Sequence, residues 1–329
     1  MNINKDFSLT SVSGKINPAQ PTALAPLSSL PSLSSPAAVA LPANPLGPLA
    51  DLVGVWKGRG FNQIWRPFHG SQDRFLELNE TIETLEFDAI PGDIPNRGLL
   101  QGDINLHGVR YLQQIQDAHV KGADGNLAGI HIEPGIWLSI PGTTNPTDGP
   151  TVARQATIPH GTTLLAQGSA LPVIHSAPPI LPVSITPFTI APPHSPIQFP
   201  ETNLGVPSQF RTPAADIPNV TQAMVNNPNL ALSNALAGQT IISTSTLKVS
   251  TVPLNPPTTG GGTSNIAFLQ GAAGGPNAQA VEVDATFWIE TIKLANGTTK
   301  LQLQYTQTVF LNFNGLSWPH VSVATLLKQ

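Results

Sequence analysis

The sequence contains no cysteine and few charged residues. The absence of cysteine among the 329 residues excludes disulfide bonds, cysteine-based zinc sites and thiolate nucleophiles. Charged residues make up 10% of the chain, against about 25% in an ordinary soluble domain. The net charge is −4 and no basic run occurs, so the chain lacks the electrostatic footprint of nucleic-acid binding. We therefore expect no nucleic-acid partner.

Long hydrophobic runs are also missing. No stretch approaches the roughly 18 consecutive apolar residues that a membrane-spanning helix needs. Lys5, near the N-terminus, is not followed by the continuous apolar segment of a secretory signal. The sequence therefore predicts no membrane span and favours a cytoplasmic location.

Proline and glycine, by contrast, are abundant, with 34 and 28 residues, and interior prolines at this density exclude an all-α bundle. Residues 1–45 are rich in Ala, Pro, Ser and Leu without a helical or alternating pattern. This composition predicts a disordered or extended leader, and a partner-binding arm is the alternative. Residues 172–218 contain twelve prolines interleaved with apolar residues, which predicts an ordered, extended insertion. Residues 221–237 form the one good helical stretch, so the insertion spans 172–238.

The C-terminal third carries the clearest strand signal. Apolar residues alternate with mostly polar ones over 281–289 and 301–311, which is typical of half-buried antiparallel strands. Asn296-Gly297 predicts a hairpin turn between them, and residues 253–262 predict another connection. Further β-rich segments lie at 74–88, 107–117, 128–140 and 151–168. The fold class predicted is all-β: one antiparallel β-barrel domain over 46–329, with its first and last strands adjacent, and with the Pro-rich insertion and one short helical segment.

Two histidines stand out, since the standard catalytic motifs are absent. His131 and Glu133 share one face of a predicted strand, so they form either a pair in which the carboxylate orients the imidazole or an ordinary surface pair. His320 opens the final strand, with Ser322 and Ala324 on its face. These small neighbours leave room for a flat ligand in front of the imidazole. The alternative for His320 is a strand-end residue that faces solvent.

The other six histidines are interpreted as loop, turn or strand-end residues. His160 lies between Pro159 and Gly161, which predicts a tight bend. We interpret it as a turn histidine that bonds to the local backbone.

Three segments resemble the nitrobindin family of lipocalin-like haem-binding β-barrels. Leu52–Gly60 resembles that family's opening LxGxWxGxG strand, and Gly129–Gly135 resembles its internal LHxExG strand. His320–Leu326 resembles its closing strand, whose histidine is the axial ligand of the haem iron. The segments occur in the family's order. The chain departs from the family in its length, in the Pro-rich insertion and in Pro134 within the internal motif.

The resemblance implies a haem b cofactor and a set of residues to hold it. His320 would be the metal ligand, and His131 would guard the opposite face of the haem. Glu133 and Trp56 would belong to the same cofactor-binding site. Arg59, Arg66 or Arg154 would face the haem propionates.

The function implied is the binding or conversion of small reactive nitrogen and oxygen species, such as nitric oxide and peroxynitrite. Whether the chain is an enzyme stays open, with peroxynitrite isomerisation or a peroxidase-like reaction as the implied activities. The main alternative is a haem-free barrel that carries or modifies a hydrophobic small molecule. A structural role is the third alternative, suggested by the low charge and the proline content.

Overall fold

The computed structural model describes residues 44–70, 73–252 and 260–329. Within them, ten long antiparallel strands form the fold. They are β1 (Gly54–Pro67), β2 (Arg74–Ala89), β3 (Ile104–Lys121), β4 (Leu127–Ile140), β5 (Thr151–Ile158), β6 (Thr162–Ile174), β7 (Thr240–Ser250), β8 (Gln279–Lys293), β9 (Thr299–Phe313) and β10 (Leu316–Lys328).

The strands close into a barrel. Each strand pairs with its neighbours in chain order, and β1 pairs with β10 as well as with β2. The closing register sets Asn62 opposite Ser322 and Ile64 opposite His320. Closure pairs the edges that an open sheet would leave free. The predicted all-β antiparallel barrel, with its first and last strands adjacent, is confirmed.

The alternating pattern of the sequence explains the two C-terminal strands. Asn296 and Gly297 make the predicted turn between β8 and β9, with Gly297 at a φ of 84°. The alternation in β8 is interrupted by a bulge between Ala280 and Glu282, so Ala280 rather than Val281 is buried in the core. The β-rich segment 151–168 contains a turn at His160 and therefore belongs to two strands, β5 and β6.

Two separate apolar cores result from this barrel. The first, the interior core, lies inside the barrel and takes one face of each strand; Trp56, Trp137, Phe287 and Tyr305 are among its largest side chains. The second, the outer core, lies on the outside of β1, β2, β8, β9 and β10 beneath the Pro-rich insertion. Its buried residues are Phe61, Trp65, Leu76, Leu78, Ile185, Ile217, Val225, Leu232, Trp288, Phe313, Trp318, Val321 and Val323.

The insertion between β6 and β7 is ordered and packs on the barrel. Helices α1 (Gln222–Asn226) and α2 (Leu230–Leu236) lie on either side of Pro228, and Gly238 follows α2 with a φ of 78°. The indole Nε1 of Trp65 donates to the carbonyl of Ile185 at 2.9 Å, which ties β1 to the extended part of the insertion.

The remaining elements are short. A 3-10 helix at Gly47–Leu52 precedes β1, and α3 (Ala267–Gln270) precedes β8. Two further 3-10 helices and five short strands complete the described residues: Pro200–Thr202, Ala214–Asp216, Ile94–Asn96, Thr143–Thr144, Thr147–Asp148, Phe188–Thr189 and Gly262–Asn265.

Some predictions concern residues that the structure does not describe. Residues 1–43 of the predicted leader and residues 253–259 of the predicted connection lie outside the described ranges. In the described ranges, no helix has the length and apolar character that crossing a membrane requires.

Candidate functional site

One end of the barrel interior is hollow. Towards the start of β1 the interior is filled by Trp56 and by Leu49 and Leu52 of the first 3-10 helix. At the opposite end, where β1 ends and β10 begins, lies a cavity of about 330 Å³. Pockets for small ligands and cofactors run from about 300 to about 1,000 Å³. The cavity therefore falls within the size range of a ligand site.

His131, His160 and His320 all line this cavity, which we call the histidine cavity. His131 comes from β4, His320 from β10, and His160 from the turn between β5 and β6. The rings of His131 and His160 lie 5.6 Å apart between centroids. Sequence reasoning selected His131 and His320 but took His160 for an ordinary turn residue. The position of His160 in a turn could have indicated this role, because a turn between two barrel strands lies at the rim of the barrel.

Apolar side chains form most of the cavity wall. They come from β1, β3, β4, β5, β8 and β9, and from α3 and the residue before β8: Ile64, Ile115, Ile130, Ile158, Leu269, Ala278, Ala280, Val283, Val309 and Leu311. A wall of this kind with a few polar groups is the usual composition of a small-molecule site.

His320 is held by a neighbouring amide. Its Nε2 lies 2.8 Å from Oδ1 of Asn62, which is on the adjacent strand β1. Burial, and to a smaller extent His131 and His160, lower the pKa of His320 to about 3. The imidazole is therefore neutral at physiological pH. Among the described residues no hydrogen-bond partner contacts its Nδ1, so this nitrogen remains available to a ligand.

His131 is held by a buried ion pair. Its Nε2 lies 3.3 Å from Oε2 of Glu133, whose carboxylate also contacts Arg154 and the Tyr111 hydroxyl through Oε1. Nε of Arg154 donates to the same hydroxyl at 2.8 Å, and its Nη1 donates to Gln307 at 2.5 Å. Because His131 and Gln307 both line the cavity, the ion pair fixes the position of two of its polar groups.

The pKa values of Glu133 and Arg154 are set by the charged groups around each of them. Burial by itself raises the pKa of Glu133, but Arg154 and then His131 outweigh it and hold the pKa at about 2. Burial lowers the pKa of Arg154, but Glu133 and Tyr111 outweigh it and raise the value. Both groups are therefore charged inside the barrel, which is stable because each is paired and hydrogen-bonded.

A second buried carboxylate, Glu83, lies in the same interior without a cation. It accepts hydrogen bonds from the Tyr305 hydroxyl at 2.7 Å and from Thr81 at 2.7 Å. Burial raises the pKa of Glu83, although these hydrogen bonds oppose the shift. The pKa of Glu133, which has an arginine beside it, is therefore lowered, while the pKa of Glu83, which has none, is raised.

The rim of the cavity carries charge. Arg66 and Glu77 both line it, and they form an ion pair with Nε 2.6 Å from Oε2. The guanidinium of Arg66 also lies 4.4 Å from the ring centre of Phe75. The side chains of Arg66 and Glu77 are 39% and 29% exposed, so this pair meets solvent at the mouth.

The barrel wall is also interrupted beside the cavity. The pairing of β4 with β5 ends at Gly135 opposite Ala156, so the first half of β4 has no partner on that side. His131 and His160 lie at this gap, and both also line a groove of about 580 Å³. The two histidines therefore separate the cavity from a second opening.

The structure places the remaining predicted site residues as follows. Glu133 is fully buried behind His131, and Trp56 packs at the filled end of the barrel, away from the cavity lining. Of the three arginines predicted to face propionates, Arg66 lines the cavity, Arg154 is bound to Glu133, and Arg59 is exposed.

The donor set was compared with what haem requires. In the described part of the chain no group of three or more His, Asp or Glu side chains is arranged to hold a metal ion. Haem needs only an axial ligand, apolar surroundings and cations near its propionates. His320 supplies a neutral imidazole, the cavity wall is apolar, and Arg66 lies at the rim. The residues present fit the group in chemical type.

Comparisons with known proteins give a weak structural likeness. No protein-family model and no curated protein matches the sequence. The chain is similar to a solved structure, that of Rv2717c from M. tuberculosis, with 15% sequence identity and a TM-score of 0.39. The alignment covers 87% of this chain and 98% of that one. A likeness of this degree says nothing of function, and the barrel rests on its own strand pairing.

Proposed function

We propose that the protein binds haem in the histidine cavity, with His320 as the axial ligand of the iron. The observation that carries the proposal is the position of the His320 imidazole on the wall of a largely apolar cavity, with no hydrogen-bond partner at Nδ1 among the described residues. A metal ligand must present an unprotonated nitrogen, and His320 meets this condition throughout the physiological pH range. The resemblance to haem-binding barrels at the closing strand points to the same residue.

The other residues of the cavity have separate roles in this proposal. His131, held by Glu133, faces the same space and would control which small molecules approach the ligand. Arg66 would hold an anionic edge of the ligand at the solvent-facing mouth. The apolar wall excludes water. When bound, the haem iron would supply the binding of nitric oxide and the conversion of peroxynitrite that the resemblance implies.

A haem-free carrier of a hydrophobic small molecule is the second candidate. One observation favours it: Nε2 of His320 is already engaged by Asn62 at 2.8 Å. An apolar ligand would fill the cavity without disturbing that contact. The two candidates therefore differ in whether a chromophore binds.

Absorption spectroscopy of the full chain after incubation with haemin distinguishes them. The wild type is expected to show a Soret band that survives gel filtration, and His320→Ala is expected to lose it. His131→Ala is expected to keep the band and shift the ferric spectrum. His119→Ala is the matched control, because His119 bonds to Glu80 at 2.9 Å and does not line the cavity.

Two results would contradict the proposal. A full Soret band in His320→Ala would show that His320 is not the axial ligand of the iron. A colourless wild type that binds an apolar fluorescent probe, with the probe displaced by filling the cavity through Ala280→Phe, would establish the carrier instead.

A further inference from the structure

A line of hydrogen-bonded side chains on four neighbouring strands connects His320 of β10 to Asp117 of β3. Nε2 of His320 contacts Oδ1 of Asn62 at 2.8 Å. Nδ2 of Asn62 donates to Oδ1 of Asn79 at 3.2 Å, and Nδ2 of Asn79 donates to Oδ2 of Asp117 at 2.9 Å. Asn62, Asn79 and Asp117 are 4%, 6% and 3% exposed, so bulk water does not compete for these bonds. We call this line the amide relay.

The direction of every hydrogen bond in the relay follows from its far end. Asp117 accepts at both oxygens, since Oδ1 receives the backbone N–H groups of His119 and Val120, each at 2.8 Å. A carboxylate that only accepts requires the NH₂ group of Asn79 to face it. The carbonyl of Asn79 then faces Asn62.

The orientation of Asn79 also determines which nitrogen of His320 carries the proton. Because the carbonyl of Asn79 accepts, the NH₂ group of Asn62 must face it, and the carbonyl of Asn62 faces His320. A carbonyl cannot donate, so the proton must sit on Nε2 of His320. In a neutral imidazole the other nitrogen, Nδ1, then carries a lone pair.

We propose that Asp117, acting through Asn79 and Asn62, selects the Nε2–H tautomer of His320 and so makes Nδ1 the atom that the cavity offers to a ligand. The ligand class follows: an apolar molecule that donates an O–H or N–H to Nδ1, or a metal centre with an open coordination position. Asn62 is a positioning residue. The inference rests on the proposed function only in taking the histidine cavity as a ligand site.

Within the described ranges, Ser322 is the other side chain that hydrogen-bonds to both Asn62 and His320. Its hydroxyl donates to Oδ1 of Asn62 at 2.7 Å and also lies 3.4 Å from Nε2 of His320. A hydroxyl can donate or accept, so Ser322 adapts to either tautomer. Ser322→Ala is therefore expected to leave the tautomer unchanged, which makes it the matched control.

Nitrogen-15 NMR of the imidazole in the ligand-free full chain tests the relay without haem. At pH 7 the wild type is expected to show a protonated Nε2 and an unprotonated Nδ1 for His320. Asp117→Asn replaces an acceptor by an NH₂ group, so both relay amides must flip and present an NH₂ group to His320. This variant is expected to shift His320 to the Nδ1–H tautomer, although three hydrogen bonds separate position 117 from His320.

One further variant tests the amide beside His320. Asn62→Ala removes the carbonyl that faces Nε2, so the preference of His320 for the Nε2–H tautomer is expected to be lost. Circular dichroism and the melting curve show that each variant is folded, and Asp117→Asn retains an oxygen for the two backbone N–H groups. A wild type with the proton on Nδ1, or a folded Asp117→Asn with unchanged tautomer, would overturn the relay.

The ligand class is tested with two matched probes, phenol and anisole, by calorimetry. Phenol donates an O–H and anisole does not, so the wild type is expected to bind phenol about tenfold more tightly. In Asp117→Asn this preference is expected to disappear. Equal affinity for the two probes in the wild type, or binding of neither, would overturn the ligand class. The absence of a Soret band would overturn only the haem proposal, since neither measurement uses haem.

Discussion

The interior core and the outer core of this barrel are both rich in buried aromatic residues, yet they differ in how they are completed. The interior core is enclosed by the strands and filled at one end by the 3-10 helix before β1, while the other end remains hollow as the histidine cavity. The outer core exists because the Pro-rich insertion covers one side of the barrel, where Phe199 stacks on Trp318 at 5.2 Å. The strands and one short helix thus complete one core, while the other requires a segment with little regular secondary structure.

The two regions also differ in the surroundings of their buried carboxyl groups. In the interior, Arg154 compensates Glu133 and the pKa of that carboxyl falls to about 2. On the outer side, Glu290 is fully buried, accepts one hydrogen bond from Gln302 at 2.6 Å, and leaves Oε1 without a partner among the described residues. Burial raises the pKa of Glu290 to about 7. Burial raises the pKa of both carboxyls, and a cation beside the carboxyl decides whether the net shift is up or down.

The substitution of Arg154, the cation inside the barrel, is expected to cause the largest loss of stability. Arg154→Met leaves Glu133 buried without its partner, which is expected to lower the free energy of unfolding by about 4 kcal/mol. Arg66→Met is the control, because its ion pair with Glu77 meets solvent and contributes less than about 1 kcal/mol. Urea denaturation followed by tryptophan fluorescence measures both. A loss below about 1 kcal/mol for Arg154→Met would show that the interior pair adds little.

Truncation in the outer core tests whether the insertion unfolds separately from the barrel. Trp318 stacks on Phe313 at 4.6 Å as well as on Phe199, so Trp318→Ala is expected to cost about 3 kcal/mol. Hydrogen exchange is expected to accelerate first in residues 180–232, while the amides of β3 to β6 stay protected. Trp137→Ala, in the interior core, is the comparison and is expected to accelerate exchange throughout the barrel. Identical exchange patterns would mean that the two cores unfold as one unit.

The pH dependence of stability is expected to have the sign set by Glu290. Its pKa is about 7 in the folded state and near 4.5 ordinarily, so the folded state holds an extra proton between these values. This contribution is complete below pH 4.5 and is lost as pH rises through 7, by up to about 1.4 kcal/mol per pH unit. Glu290→Gln is expected to be more stable than wild type at pH 8 and similar at pH 4.

Denaturation across this pH range gives the difference curve between wild type and Glu290→Gln. The same substitution at the exposed Glu86 is the control and is expected to give a flat difference curve. A flat curve for Glu290→Gln as well would show that the pKa of Glu290 is the same in the folded and unfolded states.

The smallest expected effect concerns the start of α1 in the insertion. The hydroxyl of Thr221 accepts a hydrogen bond from the backbone N–H of Met224 at 3.2 Å and caps the helix. Thr221→Ala is expected to cost about 0.5 to 1 kcal/mol, while Thr221→Ser keeps the cap and is expected to match wild type. Thermal melts of the three proteins measure this. A stabilising Thr221→Ala would mean that the cap does not hold in solution.

Much of the fold could be predicted from the sequence because it depends on local patterns. The alternation over 281–289 and 301–311 reflects side chains that point to opposite faces of a strand, and Asn296-Gly297 reflects a turn that needs positive φ. The adjacency of the first and last strands was predicted from the motif strands at both ends of the domain. The bulge at Ala280 was not predicted, because one extra residue in a strand leaves the surrounding alternation nearly intact.

The candidate site was predicted only in part. His131, Glu133 and His320 followed from their place on strands, and the structure brings His131 and His320 to one cavity. His160 was missed because its role depends on where a turn lies in the closed barrel. Asn62, Asn79 and Asp117 were missed because asparagine and aspartate residues far apart in sequence carry no mark of being neighbours.

The sequence by itself therefore determined the strands, the turns between them and the residues able to bind a ligand, since each depends on near neighbours in the chain. The tertiary structure decided which of those residues meet. Barrel closure sets β1 beside β10, and this places Asn62 against His320. Partners also decide charge: Glu133 and Glu290 are both buried glutamates, but Arg154 and His131 lower the pKa of Glu133, whereas burial raises that of Glu290. Contacts between residues distant in sequence, not residue type, set the chemistry of this site.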